Sequence, residues 1–429
     1  MSLLFNKILV ANRGEIACRI MRTAHRMGIK VVAVYSDADK HAKHVKIADE
    51  AVYVGPSQSS QSYLLIQKII EAAKQTSAEA IHPGYGFLSE NAEFVRAVEA
   101  AGLVFIGPDA HAIEMMGDKI TSKKIAKEAG VSIVPGSEGA ISEIEEAKSE
   151  SIRIGYPVMI KASSGGGGKG MRVVESEEEL EAAMQAAMNE ARSSFGDDRV
   201  FIEKFVTQPR HIEIQVLADT HGKVIFLGER ECSIQRRHQK VIEEAPSCLL
   251  SPQTRKAMGQ QAIALSKAVN YRSAGTVEFI VGANEDFYFL EMNTRLQVEH
   301  PVTELVYNVD LVSLMIEIAA GQKLALEQDN VLANGWAMEA RIYAEDSQRG
   351  FLPSIGQLIE YKEPVLEKIR VDSGVQEGNH ITMFYDPMVA KIVSHGTDRA
   401  ECITKLSKAL DHYKISGVET NIQFLSAIL

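Results

Sequence analysis

RSAGTVEFIVGANEDFYFLEMNTRLQVEHP, residues 272–301, decides how the rest of the chain is read. Two apolar, β-prone runs, 275–281 and 287–293, flank the turn-rich GANED, which is the pattern of a β-hairpin. Alternate residues of a strand share a face, so Glu278 sits with Thr276 and Ile280, and Glu291 with Phe289 and Asn293. Strands paired symmetrically about the turn would place Glu278 opposite Glu291. Like charges so placed destabilise a strand pair unless a positive group lies between them. Two carboxylates and a carboxamide are hard oxygen donors, suited to Mg2+ or Mn2+ arriving with nucleotide phosphates. A solvated strand face explains one such Glu, but poorly explains all three groups among Val, Ile and Phe. The hairpin reads as a metal–nucleotide site.

Upstream, KILVANRGEIACRIMRTAHRMGIKVVAVYSD (7–37) gives strand, Gly turn, amphipathic helix and strand. The unit recurs with helices over 63–74 and 91–101 and the strands EAIHPGY and LVFIGP. Continuous apolar strands separated by helices indicate a doubly wound parallel sheet. The turn ANRGE has only Gly14, so no dinucleotide fingerprint is present. HPGYGFLSEN (82–91) follows a strand end, where such sheets bind ligands, and offers Tyr85, Glu90 and Asn91. A structural turn accounts for it almost as well. Lys119 opens a basic helix and is placed to reach a phosphate, although most lysines on such helices are simply solvated.

In YPVMIKASSGGGGKGMRVVES (156–176), residues 165–170 satisfy G-x-G-x-x-G, but a strand follows where the dinucleotide motif requires a helix. Lys169 precedes Gly170, not Ser or Thr, so the P-loop template fails as well. Between two strands, the loop reads as a mobile flap whose N–H groups wrap an anion, with Lys161 on the strand before it. Helix 177–192 and strand RVFIEKF complete a small α+β unit. In HIEIQVLAD (211–219), His211, Glu213 and Gln215 share a face. His238 and Lys240 end a basic run with Arg236 and Arg237; without zinc spacing, anion contact and a solvated loop are the two readings. Helices follow over 252–270 and 303–320, and the strand WAMEARIYAED puts Glu339 and Arg341 on one face.

Bulk properties narrow the class. A chain of 429 residues is too long for one ordinary domain. Net charge of −11 excludes general binding to nucleic acid or anionic membranes. The four cysteines form no CxxC pair, and with no transmembrane-length run or signal-peptide pattern, a cytoplasmic protein is expected.

Taken together, HPGYGFLSEN, IKASSGGGGKGM, RECSIQRRHQKVIEEAP and EMNTRLQVEHPVTE resemble a biotin carboxylase of the ATP-grasp superfamily, over nearly the whole chain. The tail segments GFLPSIGQLIEYKEP and VDSGVQEGNHITMFYDPM are most similar to the α subunits of propionyl-CoA carboxylases. The implied fold class is α/β and α+β. It comprises a doubly wound N-terminal domain (1–116), a connecting helix region (117–134) and an ATP-grasp domain with a glycine-rich lid (135–205) and catalytic core (206–330). A mixed C-terminal domain (331–429) completes it.

The resemblance implies ATP contacts from Lys119, Lys161, Gly165, Gly166, Gly167, Gly168, Glu203, Lys204, Val206, His211, Gln235, His238, Glu278 and Glu291. It assigns two Mg2+ or Mn2+ ions to Glu278, Glu291 and Asn293. Bicarbonate falls to Lys240, Arg295, Gln297, Val298 and Glu299, and biotin to Arg341 and Tyr85. Arg295, Glu299, Arg341 and Lys240 are the implied catalytic set, with Glu299 as the base. No lysine lies between two methionines, so biotin is expected on a carrier domain, in a separate protein or in a C-terminal part of a longer subunit. A carboxyltransferase β subunit and a homodimer or larger assembly are the other implied partners, with the mitochondrial matrix as the compartment in a eukaryote. Two other readings are an ATP-grasp ligase using a different acyl phosphate and a catalytically silent ATP-binding module.

Overall fold

The computed structural model describes residues 4–137, 139–162, 171–195, 198–237 and 239–429. The chain divides into two compact units. The first comprises Met1–Val131, His211–Phe279 and Leu290–Leu429, and the second Ser132–Arg210 and Ile280–Phe289.

The first unit opens with β1 (Lys7–Val10), β2 (Lys30–Ser36), β3 (Glu50–Gly55), β4 (Ala80–His82) and β5 (Val104–Phe105), all parallel, in the order β3-β2-β1-β4-β5. Strand alternation explains why both faces are covered. Ile8 and Val10 pack with Ile16, Ile20 and Met21 of α1 (Gly14–Arg26), while Leu9 and Ala11 pack with Ile69, Phe94 and Val98 on the opposite face. Strand order reverses between β1 and β4, so the loops after those two strands flank a crevice. The Asn12 amide ties the loops together, donating to the carbonyls of Pro83 (2.7 Å) and Tyr85 (2.8 Å). Gly84 is required there: its φ is +65°, and a Cβ would lie 2.9 Å from the Asn12 amide nitrogen. Asn91 caps the helix Ala92–Ala100 by accepting from the Phe94 N–H, so it serves the turn.

An eight-stranded sheet follows among the described residues. β9 (Arg210–Ala218), β10 (Val224–Arg236), β11 (Gln239–Ala245), β12 (Ser273–Val281), β13 (Phe287–Asn293) and β14 (Trp336–Tyr343) run in the order β13-β12-β9-β10-β11-β14. The strands Met388–Gly396 and Ile369–Ser373 extend the sheet beyond β14. One face of the β11–β14 end is apolar: Ile242, Ala340, Ile342 and Ile392 pack with Cys402, Leu406 and Leu410 of the helix Arg399–Asp411. On the other face Ala245, Ala337 and Val393 cover Val302 and Val306 of the helix His300–Tyr307. Glu243, Glu339, Arg341 and Lys391 share that second face, next to the helix whose cap is Glu299.

Two expectations change. Residues 303–320 form two helices, His300–Tyr307 and Leu311–Ala319. Asn308 takes a left-handed conformation at φ 50°, and Asp310 caps the second helix, accepting from the Ser313 N–H. Lys240 belongs to strand β11 and not to a loop ending the basic run. Its neighbour His238 lies outside the described residues.

In the second unit three antiparallel strands, in the order β7 (Met171–Val174), β6 (Val158–Ala162) and β8 (Val200–Lys204), carry the helices Ile144–Ile154 and Glu177–Phe195. Ile160, Val174, Leu180, Met184 and Ile202 form its core. The hairpin tip also belongs here. The Gly282 N–H donates to the Asp286 carbonyl (2.7 Å) and Glu285 is left-handed at φ 62°, a three-residue loop that centres the turn on residue 284. The turn centre thus falls half a residue before the midpoint that would set Glu278 against Glu291.

Buried histidines give the fold an acid limit. Burial pushes His44 down to about 4 from 6.5, and burial with the Arg19 charge pushes His82 down to about 3. Both stay neutral in the folded chain, and the unfolded chain takes up their protons first as pH falls below 6.5. Stability is therefore complete above that pH and is lost on acidification, by roughly 3 kcal/mol for a shift of the His44 size. Urea unfolding between neutrality and pH 5 should show this decline; a flat profile would refute it.

Candidate active site

A cavity of about 1050 Å³ opens in the first unit. Its wall includes the loops after β1 and β4, at Glu15 and Tyr85, with His211, Gln235, Lys240 and Glu278. Glu291, Asn293, Arg295, Gln297, Val298 and Arg341 also face it. Eleven of the residues expected from the sequence thus meet in one space, counted as Tyr85, His211, Gln235, Lys240, Glu278, Glu291, Asn293, Arg295, Gln297, Val298 and Arg341.

Glu299 lies just behind the wall, fully buried. Lys240 Nζ donates to Glu299 Oε1 at 2.6 Å, and Arg341 Nη2 donates to Oε2 at 2.9 Å. Burial opposes a charge there, yet the Lys240 and Arg341 cations outweigh it and hold the Glu299 carboxyl well below the usual carboxylate range. Lys240 also donates to Glu213 (2.7 Å) and Glu278 (3.1 Å). One ammonium therefore separates three buried carboxylates, of which only Glu278 belongs to the hairpin. Burial alone would depress the Lys240 pKa, but Glu213 and Glu299 drive it well above the ordinary lysine range.

Glu278 accepts from Asn293 Nδ2 (2.8 Å) and Gln297 Nε2 (3.0 Å), while His211 Nε2 sits 2.7 Å from its other oxygen. The His211 contact and the Lys240 charge overcome burial and keep Glu278 ionised far below its normal pKa. Arg295 spreads its fork across Glu90 (2.7 Å), Asn293 (3.0 Å) and Gln297 (3.3 Å), so Glu90 of HPGYGFLSEN holds an arginine. The Tyr85 hydroxyl donates to Glu15. Arg341 does not pair with Glu339; its Nε donates to Glu243 at 2.6 Å. Neither oxygen of Glu339 has a hydrogen-bond partner among the described residues, and burial raises its pKa well above the carboxylate range.

Other expected positions fall elsewhere. Lys161, Glu203, Lys204 and Val206 lie in the second unit. There Lys161 pairs with Glu203, and Lys204 donates to the carbonyls of Gly155 (2.7 Å) and Tyr156 (3.0 Å). The side chain of Lys119 and all of Gly165, Gly166, Gly167, Gly168 and His238 are outside the described residues. Arg236 pairs with Glu345 at 2.7 Å and stacks over Phe351.

Sequence reading passed over the supporting charges. Arg230 is fully buried and donates to Glu213, Gln215 (2.6 Å), Thr303 (2.9 Å) and Thr276 (3.0 Å). Glu15, Glu243 and Lys391 were likewise unassigned. Lys391 was signalled by a lone charge in the apolar run MVAKIVS, whereas Arg230 and Glu243 sit in the consecutive charges of GERECS and KVIEEA, which read as solvated.

The donor set fits a hard divalent cation: ionised Glu278, Glu291 and the Asn293 amide lie on one hairpin and line one cavity. The cluster His211, Glu213 and Glu278 is spaced for an ion too, but Lys240 already bonds two of its carboxylates.

Comparison with known proteins agrees with this geometry. Residues 4–113 match the biotin carboxylase N-terminal domain, 118–327 the carbamoyl-phosphate synthase L chain ATP-binding domain, and 339–429 the biotin carboxylase C-terminal domain. The propionyl-CoA carboxylase alpha chain of Ruegeria pomeroyi is 58% identical over 99% of this chain and 66% of its own length, so this chain spans just under two thirds of that relative. The biotin carboxylase domain of a thermophilic 2-oxoglutarate carboxylase, solved with ADP, superposes with a TM-score of 0.94 at 48% identity, covering 99% of this chain and 94% of that one. The Hydrogenobacter thermophilus domain dimer, solved with MgADP, ADP and bicarbonate, gives a TM-score of 0.86 at 48% identity with the same coverage. By sequence along its whole length and by fold, the chain belongs to the biotin carboxylase family, the ATP-dependent ligases that carboxylate biotin.

Proposed function

We propose that this chain carboxylates biotin on a carrier domain, using ATP and bicarbonate, as the first half-reaction of a propionyl-CoA carboxylase. The observation that carries the reading is the buried carboxylate of Glu299, held between Lys240 and Arg341 at the edge of the cavity. The propionyl-CoA assignment is supported by the 58% identity to the Ruegeria pomeroyi alpha chain, of which this chain spans 66%.

Bicarbonate is a weak nucleophile, so Glu299 takes its proton as its oxygen attacks the γ-phosphorus of ATP, and ADP leaves. Arg295 grips the anion through its fork, with Gln297 and the Val298 backbone beside it. Glu278, Glu291 and Asn293 would hold Mg2+ or Mn2+, which when bound neutralises charge on the transferring phosphoryl group. Lys161, Lys119, His211 and Gln235, with the 165–168 loop, serve the nucleotide. Carboxyphosphate then divides into carbon dioxide and phosphate, and phosphate removes the ureido N–H proton of biotin. Arg341 stabilises the enolate-like oxygen as nitrogen attacks carbon dioxide, with Tyr85 beside the ring system. Exclusion of water matters because water destroys the intermediate.

A homodimer and a carboxyltransferase partner belong to the same reading, the first in keeping with the dimer of the Hydrogenobacter thermophilus domain. Among the described residues no helix is long and apolar enough to cross a membrane. The test is ATP cleavage by this chain alone. Cleavage should require bicarbonate and rise on addition of free biotin; cleavage indifferent to both would point to another acyl-phosphate ligase, and none at all to a silent nucleotide-binding module.

A further inference from the structure

Lys391 has no role in the steps above, yet it is a lysine with no exposed surface beside the cavity. Burying an ammonium costs several kcal/mol unless its protons are well placed. Lys391 Nζ donates to the Val298 carbonyl at 2.6 Å and lies 3.2 Å from Glu15 Oε1. Glu15, in the first turn of α1, accepts from the Tyr85 hydroxyl. On the sheet Lys391 stands directly across from Arg341, with Asp372 on its other side. Asp372 is engaged by Arg370 at 2.7 Å and by Arg22. Val298, Glu15, Tyr85 and Arg341 line the cavity, whereas Lys391 does not.

We propose that Lys391 is a positioning residue for the bicarbonate and biotin pocket, fixing the Val298 carbonyl directly and the Tyr85 ring through Glu15. The segments it joins are those that lack a strand ladder of their own. Tyr85 sits between Gly84 and Gly86, both at positive φ, and Val298 lies in the turn between β13 and the helix His300–Tyr307. Glu299, the next residue, is that helix's N-cap but makes no side-chain cap bond, because its carboxylate is committed to Lys240 and Arg341. Its backbone is therefore held from the other side, by the Lys391 bond to the preceding carbonyl together with the His300 ring against the Gln297 carbonyl (2.7 Å). Charge-assisted bonds are short and directional, so one buried ammonium orders two loops that approach the substrates from different parts of the chain.

The inference rests on the biotin carboxylase reading, which the wild-type chain tests by itself: without bicarbonate-dependent ATP cleavage that reading falls before any variant is made. The variants are Lys391→Met and the double variant Glu15→Gln with Lys391→Met. The double variant removes both charges, and neutral replacement of a buried pair is often tolerated in folding. Both are expected to raise KM for bicarbonate and for free biotin roughly 10- to 100-fold, the effect of misplaced binding groups. KM for ATP should stay within about twofold of wild type, since uniform damage would move all three together. Recovery of wild-type bicarbonate and biotin KM in the double variant would overturn the proposal, reducing Lys391 to the counter-charge of Glu15. A parallel rise in the KM for ATP, or failure of the double variant to fold, would overturn it as well, assigning Lys391 to stability alone.

Discussion

Glu299→Gln is expected to lower bicarbonate- and biotin-dependent turnover by roughly 10²–10⁴, the usual worth of a general base. Nucleotide affinity should stay close to that of wild type. Gln keeps the shape and one acceptor oxygen, so what disappears is the capacity to take a proton. The two cations that faced the lost charge keep other partners: Lys240 retains Glu213 and Glu278, and Arg341 retains Glu243. No cation is left buried alone, so collapse of the fold is not the expected route to lost activity. Lys240 and Arg341 hold Glu299 ionised throughout the working range, so its own titration should not set the acid limb of the rate profile. Steady-state ATP cleavage with bicarbonate and free biotin, alongside calorimetric titration of ADP, separates the two quantities. Undiminished turnover would remove Glu299 from the role of base, and lost ADP binding would show that the substitution had damaged more than proton transfer.

The elements of this site differed in how legibly the sequence announced them, for physical reasons. The parallel sheet was plain because runs such as KILV and KVVAVYS are apolar without interruption, as strands covered on both faces must be. The hairpin strands and Glu278 were legible because strand period is local. What holds Glu278 was not: His211, Lys240 and Gln297 come from separate segments, and nothing in their spacing says that they converge on one carboxylate. Lys240 looked like the end of a basic loop because the charge of RRHQK hides where one strand ends, at Arg236, and the next begins, at Gln239. The break at Asn308 was hidden by apolar residues that keep helical spacing on both sides. Arg230 and Glu243 lie within RECSIQRRHQKVIEEAP but were given no role there, and Lys391 lies in none of the quoted motifs. Each neutralises a charge brought from elsewhere by the fold, and such pairing is tertiary information. The resemblance supplied roles for residues that periodicity could place only on a face.

Lys240→Met should lower both stability and turnover, and it is the more severe of the two substitutions. Without the ammonium, Glu213, Glu278 and Glu299 crowd together with less compensation in a buried space, and breaking such a network typically costs about 3–5 kcal/mol of stability. Turnover should fall by roughly 10³-fold, since a cation that faces developing charge and holds Glu299 in place is lost. The sign of the pH dependence identifies the cause. In the variant the three carboxyl groups lose a shared counter-charge, so their folded-state pKa values rise relative to the wild type. As pH falls, the folded variant then binds more protons than the folded wild type and recovers stability relative to it. His44 and His82 stay neutral when folded in both proteins, so their proton uptake on unfolding cancels in the comparison. The stability gap between variant and wild type should therefore narrow as pH falls from neutrality toward the carboxylate range. Urea unfolding of both proteins across that range measures it directly. A gap that stays constant would mean that the ammonium does not neutralise the carboxylate cluster, and the electrostatic account of the site would fail with it.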